Sequence, residues 1–245
     1  MSKIKENILL LLKPQAIIGL LISILGIYWA FHDFAFDEFL ETIKSVKYEY
    51  VLLACVLLIS SVWLRAIRWK YLFKSEDGVE TYSLFRYELI GYFGNNVLPL
   101  RLGELLRAYI LGKRYSLSKS YVFGTIVLER ILDTLTLILL SIILLFIYPL
   151  TNLIKSYIYT GMILSVILVI LLIILKRMNL VNTERGFIFT ISRFFQSFKN
   201  LEYNKIPIIF ILSIFTWSIY WIDVHLIQYA FGFEMTPAHS LLLLV

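Results

Sequence analysis

The chain has one cysteine and three histidines in 245 residues, and charged residues make up only 16% of it. With Cys55 alone, neither a disulfide nor a cysteine-based zinc site can form within the chain. His32, His225 and His239 are scattered without metal-ligand spacing, so no metal and no cofactor is expected. No glycine-rich phosphate loop is present, so any pumping would need an ion gradient or a partner. The charge is also too sparse to cover a soluble surface of this size. A cytosolic or nucleic-acid-binding role is excluded by hydrophobicity despite the formal net charge of +6, because 60% of residues are hydrophobic and the mean hydropathy is +0.81.

What is there is a series of long apolar blocks. Each can cross roughly 30 Å of hydrocarbon as a helix rising about 1.5 Å per residue. Backbone groups in lipid must be satisfied internally, and barrel strands would alternate polar with apolar residues. The stretch 163–175 is aliphatic instead. The fold class expected is therefore all-α, a polytopic membrane bundle in a single transmembrane domain. Spans fall near 14–31, 48–64, 121–148, 157–175 and 206–229. Lys3, Lys5 and Lys13 precede the first run as in a signal peptide, but Tyr28, Trp29 and Phe31 close it where a small-residue cleavage site would stand. It reads as a retained first span. The apolar run at 241–245 stops without a cap, which reads as a chain truncated at its C-terminus.

The stretch 82–111 is different. Gly91, Gly94, Asn95, Asn96 and Pro99 interrupt it, and such a cluster of breakers ends an ordinary helix. Two apolar arms around that centre predict a re-entrant, broken helical hairpin. Basic residues support it. With a cytoplasmic N-terminus and a re-entrant hairpin, sixteen Lys and Arg fall on the cytoplasmic side, among them Arg65, Arg68, Lys70 and Lys74, against Lys44, Lys47 and Lys155 outside. A full crossing at 82–111 would place the basic stretch 176–205 outside. A multi-pass protein of the plasma membrane with its N-terminus in the cytoplasm is the expectation. Apolar residues at helical spacing beside charges also predict interfacial helices near 36–47 and 183–200, or helices packed on neighbouring loops.

Chemistry concentrates at 91–107, GYFGNNVLPLRLGELLR. Arg101, Glu104 and Arg107 are spaced i, i+3, i+6, so neighbouring side chains can meet on one helix face. Pro99 suits a first helical turn, with Asn95 or Asn96 supplying side-chain hydrogen bonds near it. A helix N-terminus pointing into the membrane beside Arg101 would form an anion site, the arginine fork matching phosphate oxygens. Arg107 either joins that site or snorkels to the surface. The second constellation is Glu129, Arg130 and Asp133, inside a span where each charge costs roughly 2.5–3.5 kcal/mol on insertion scales. Glu129 and Asp133 share a face and are natural partners for Arg101 or Arg107. These charges either bind an anionic ligand or only pin helices together, and the sequence leaves both open.

The runs NNVLPLRLGELLR and LERILD (128–133) resemble the motifs of the lysylphosphatidylglycerol synthase transmembrane-region family, also called flippase-like or UPF0104. The resemblance covers nearly the whole chain. It implies that Asn96, Pro99, Arg101, Gly103 and Glu104, and then Glu129, Arg130 and Asp133, are the motif residues. It also implies a bundle with re-entrant elements that moves or presents anionic lipids. Family members run longer, with a second broken segment that would follow Val245. No aminoacyl-transferase domain is present, so an enzyme is not expected. The expected function is binding and translocation of anionic membrane lipids or lipid-linked sugars. The alternative is an accessory subunit that holds a glycosyltransferase or lipid-modifying enzyme, and homo-oligomerisation is left open.

Overall fold

The computed structural model describes residues 14–177 and 186–245, without the side chains of residues 14–16, 101, 175–177 and 187–188. Lys3, Lys5, Lys13 and Arg185 of the expected basic side, and the first residues of the helix expected at 183–200, therefore lie outside the described residues. All regular structure that is described is helical. The chain forms two compact units, divided after Val46.

In the first unit, α1 (Pro14–Phe31) and α2 (Phe36–Ser45) meet at a bend of 70°. Aromatic residues fill the bend, where the Phe34 ring lies edge-on to Phe36 at 4.8 Å and to Phe31 at 5.5 Å. Asp37 and Glu38 stand in the first turn of α2 and Lys44 in its last, each at the end the helix dipole favours.

The second unit contains α3 (Tyr48–Lys70), α4 (Thr81–Val97), α5 (Gly103–Arg114), α6 (Lys119–Ile147), α7 (Asn152–Arg177), α8 (Phe187–Lys199), α9 (Ile206–Ala230) and α10 (Pro237–Leu244). Four stretches of it are long and apolar enough to cross a membrane: Tyr48–Lys70, Lys119–Ile147, Asn152–Ile174 and Tyr203–Ala230. The bent pair α1 and α2 makes a fifth if counted as one span. Leu164, Ile167, Ile170 and Ile174 of α7 are exposed, as are Leu52, Val56, Ile59 and the lone Cys55 of α3. A continuous aliphatic surface of this kind is stable against lipid and not against water. The protein is an all-α, multi-pass membrane protein.

One expected boundary moves. The span expected near 48–64 leaves Arg65 and Arg68 outside it, on the cytoplasmic side. The helix instead continues to Lys70, and both arginines are buried within the bundle. The reason is electrostatic: carboxylates of α6 meet them, so the helix has no cause to end.

The interrupted stretch forms a helix, a break and a second helix that packs back along the first. The Leu98 N–H donates to the Gly94 carbonyl at 2.8 Å, ending α4, and Pro99–Arg101 makes one 3-10 turn before α5. Leu100 sits in the left-handed region at φ 56°, which is unusual for a branched side chain, and that side chain is 92% exposed. Glycines let the arms approach. A Cβ at Gly103 would overlap the Gly91 carbonyl and the Asn95 side chain, and one at Gly94 would meet Gly103 Cα at 2.8 Å.

Helix α6 runs through two apolar clusters. Near its start Val122, Ile126 and Leu128 pack with Trp69, Leu84 and Leu111; near its end Leu144 packs with Leu150, Ile158 and Leu241. The polar layer described below lies on α6 between them. Helix α8 packs against the first part of α6, where a Cβ on Gly124 would overlap Ser197 Oγ and the Phe194 carbonyl. Part of the stretch expected as a helix at 183–200 is thus a helix whose Phe194 and Ser197 lie against α6.

That contact yields a test. Gly124→Ala should destabilise the protein by about 1–3 kcal/mol, the usual cost of overpacking. Gly161→Ala on α7, where a new Cβ meets nothing within 4 Å, should be neutral or slightly stabilising. Thermal unfolding of both variants in detergent measures the difference, and equal midpoints would contradict the packing at Gly124.

Candidate functional site

Three arginines and three carboxylates converge between the apolar clusters. Arg65 and Arg68 come from the last two turns of α3, Glu88 from α4, Arg107 from α5, and Glu129 and Asp133 from α6. All six are buried. Helical spacing explains their convergence, since Arg65 and Arg68 are three apart and Glu129 and Asp133 four apart, so each pair shares a face.

Glu129 is the hub. Its Oε1 pairs with Arg65 Nη2 and lies 3.4 Å from Arg68 Nη2, while its Oε2 lies 2.8 Å from Arg107 Nη2. Arg107 uses its other terminal nitrogen to pair with Glu88. Asp133 pairs with Arg68 Nη1 at 2.8 Å and accepts hydrogen bonds from Arg65 Nη2 at 3.2 Å and from Trp217 Nε1 at 3.3 Å. Arg68 also donates to Ser213 Oγ on α9 at 2.9 Å. The Arg107 guanidinium stacks on Trp69, 4.3 Å from the ring centroid, and Trp69 Nε1 donates to Thr125 Oγ1 at 2.9 Å. Three positive and three negative side chains balance, so the buried layer is neutral as a whole.

At its rim the network opens. Arg130 Nε lies 3.0 Å from Glu104 Oε1 on α5, and Arg130 Nη1 lies 3.4 Å from Asp133. The Arg130 side chain is 42% exposed and that of Glu104 31%, so this cation remains reachable.

The residues singled out from sequence are distributed unevenly over this arrangement. Glu129, Asp133 and Arg107 stand in the buried layer, and Arg107 does not snorkel. Glu104 and Arg130 form the rim pair. Gly91, Gly94 and Gly103 make the hairpin contact, and Pro99 opens its 3-10 turn. Arg101 stands in that turn and not on α5, so the left-handed Leu100 takes it off the expected i, i+3, i+6 face; its side chain lies outside the described residues. Asn95 and Asn96 do not cap α5. They belong to the last turn of α4, where Asn96 Nδ2 donates back to the Tyr92 carbonyl at 2.8 Å, and Asn95 Oδ1 is buried without a hydrogen-bond partner among the described residues.

Arg65, Arg68 and Glu88 are the members that sequence reasoning missed. The signal was present: Leu84, Glu88 and Gly91 recur at i, i+4, i+7, which puts Glu88 on the face buried against α5. Asp223 and His225 lie apart from the network. His225 Nδ1 is 2.9 Å from Ser240 Oγ, and both Asp223 oxygens are buried without a hydrogen-bond partner among the described residues. No group of three or more metal-ligating side chains occurs among the described residues.

Removing one partner from such a layer strands a charge. Arg107→Met should destabilise the protein by about 3–5 kcal/mol, because Glu88 loses its ion pair. The double variant Glu88→Met/Arg107→Met should recover a substantial part of that loss, since a buried pair can be replaced by apolar groups at little cost. Thermal unfolding of the three proteins decides it. A single variant as stable as wild type would show that the layer contributes nothing to holding the helices.

Comparison with known proteins agrees with this architecture. The family model described as "Lysylphosphatidylglycerol synthase TM region" matches residues 16–245. A UPF0104 membrane protein of Methanocaldococcus jannaschii is 33% identical over 123 residues, covering 49% of this chain and 37% of that protein. A second from the same organism is 30% identical over 142 residues, covering 55% and 60%, and one from Pyrococcus horikoshii is 29% identical over 161 residues, covering 64% and 47%. The matches thus span about half the length of these relatives. No solved structure matches. Because that family model covers residues 16–245, nearly the whole chain, the chain belongs to the lysylphosphatidylglycerol synthase transmembrane-region family.

Proposed function

We propose that the protein binds anionic lipid headgroups and carries them across the membrane, and that Arg130 is where the headgroup phosphate is held. The observation supporting this is the contrast between the buried layer and its rim. Arg65, Arg68 and Arg107 are buried and paired with carboxylates through their terminal nitrogens, whereas Arg130 is half-exposed and held by Glu104 from a separate helix. A phosphate oxygen can take the place of Glu104 on the Arg130 fork without changing the charge of the buried layer. Asp133 keeps the guanidinium oriented during that exchange. The break at Pro99–Arg101 adds backbone dipoles on the neighbouring hairpin. The acyl chains stay in lipid while the headgroup follows the polar rim. Without coupling to an ion gradient or a partner, this chemistry equilibrates lipid between leaflets.

The test is leaflet exchange of fluorescent anionic phospholipids in liposomes containing the purified full-length protein. Arg130→Ala should slow exchange at least tenfold and Arg130→Lys less, because lysine retains the charge but not the fork. Folding is preserved in both, since Asp133 keeps Arg65 and Arg68 as partners. Exchange at the wild-type rate in Arg130→Ala would overturn the assignment. Absence of exchange by the wild type with every anionic lipid would overturn translocation itself and favour a role in holding a lipid-modifying enzyme at the membrane.

A further inference from the structure

A groove of about 620 Å³ lies between α5, α6 and α8, away from the ion network. Its volume falls in the roughly 300–1,000 Å³ range of small-molecule sites. Leu105, Ala108, Phe123, Ile191, Phe194 and Phe195 make its walls apolar, and no acidic residue lines it. The polar end is where α6 begins. Lys119 and Ser120 belong to the first turn of that 29-residue helix, and Lys119 Nζ is held 4.1 Å over the ring of Tyr109, which itself lines the groove. Lys119 is exposed and pairs with no carboxylate among the described residues. A single uncompensated cation at the mouth of an apolar groove matches one kind of occupant: an amphiphile with a long apolar chain and an anionic head.

Helix geometry links this groove to the rim. Lys119, Phe123 and Arg130 recur at i, i+4, i+11 and so lie on one face of α6. Eleven residues put the two cations about 16 Å apart along the helix axis at a rise of roughly 1.5 Å per residue. On α5 the partners run in the opposite order, Glu104 beside Arg130 and Tyr109 beside Lys119. The lane between α5 and α6 therefore has a cation at each end and apolar walls between.

We propose that this groove binds one acyl chain of an anionic phospholipid, with the phosphate at Lys119 and the first-turn N–H groups of α6, as a waiting position before Arg130. The inference rests on the lipid reading given above and adds the place where the lipid is first taken up. Lys119 selects for the anionic head, since a zwitterionic lipid brings its own ammonium group to the same spot. The aromatic walls select for a chain and not for a soluble phosphate.

Bound lipid can be read without any transport. In a Cys55→Ser background, Ile191→Cys carries a bimane fluorophore in the groove, and the full-length protein is reconstituted with lipids brominated along their chains. At equal mole fraction, brominated phosphatidylglycerol should quench at least twice as strongly as brominated phosphatidylcholine. Lys119→Ala should abolish that preference and Lys119→Arg keep it. Millimolar glycerol 1-phosphate should leave the quenching unchanged. Equal quenching by the two lipids in the wild-type background, or a preference that survives Lys119→Ala, would overturn the proposal. Relief of quenching by glycerol 1-phosphate would overturn it in favour of a site for soluble phosphates. Because the readout is equilibrium occupancy with lipid in both leaflets, it holds or fails independently of the exchange rate measured for Arg130→Ala.

Discussion

The arrangement depends on the cost of placing charge in a medium that cannot solvate it. An ionised side chain at the centre of a membrane helix costs about 2.5–3.5 kcal/mol on insertion scales, and this bundle buries six. They are tolerated because they come in equal numbers of each sign and because Glu129 contacts three arginines from two different helices. That requirement propagates outward. It fixes the rotation of α6 through Glu129 and Asp133, the length of α3 through Arg65 and Arg68, and the depth of α5 through Arg107. Ser213 and Trp217 then tie α9 to the same layer. A helix rotated by one residue would remove a charge from the layer and leave its opposite unpaired.

Close backbone approach is the second constraint, and it serves the first. Arg107 reaches Glu88 because α4 and α5 touch at Gly91, Gly94 and Gly103, where any side chain would hold the arms apart. The break that turns the chain is strained at Leu100, yet it brings two short helices together over a small area. Short helices that fail as spans by length thus contribute two of the six buried charges.

Hydropathy made the coarse fold legible, because aliphatic runs such as that of α7 have no other stable environment. The broken hairpin was legible from its glycines, asparagines and proline. The partners of the charged motif were not. Arg65 and Arg68 count in the sequence as cytoplasmic basic residues beyond a span, since a helix end and a buried ion pair produce the same local pattern when the partner lies 64 residues away. Asn95 and Asn96 looked like caps for α5 because the sequence does not reveal how many residues the break consumes. Arg101 was read as helical for the same reason. Periodicity within one segment says which face is buried, and only tertiary geometry says what it is buried against.

The separation between Arg65 and Glu129 also has a meaning in time. A chain made at about 5–20 residues per second needs roughly 3–13 s to extend from one to the other. Throughout that interval α3 exists without the carboxylates that neutralise it. Its two arginines, lying in its final turns, can stay at the headgroup level on their long stems and wait there. The buried layer can close only after α6 has been made, because Arg65 and Arg68 take their carboxylate partners from Glu129 and Asp133.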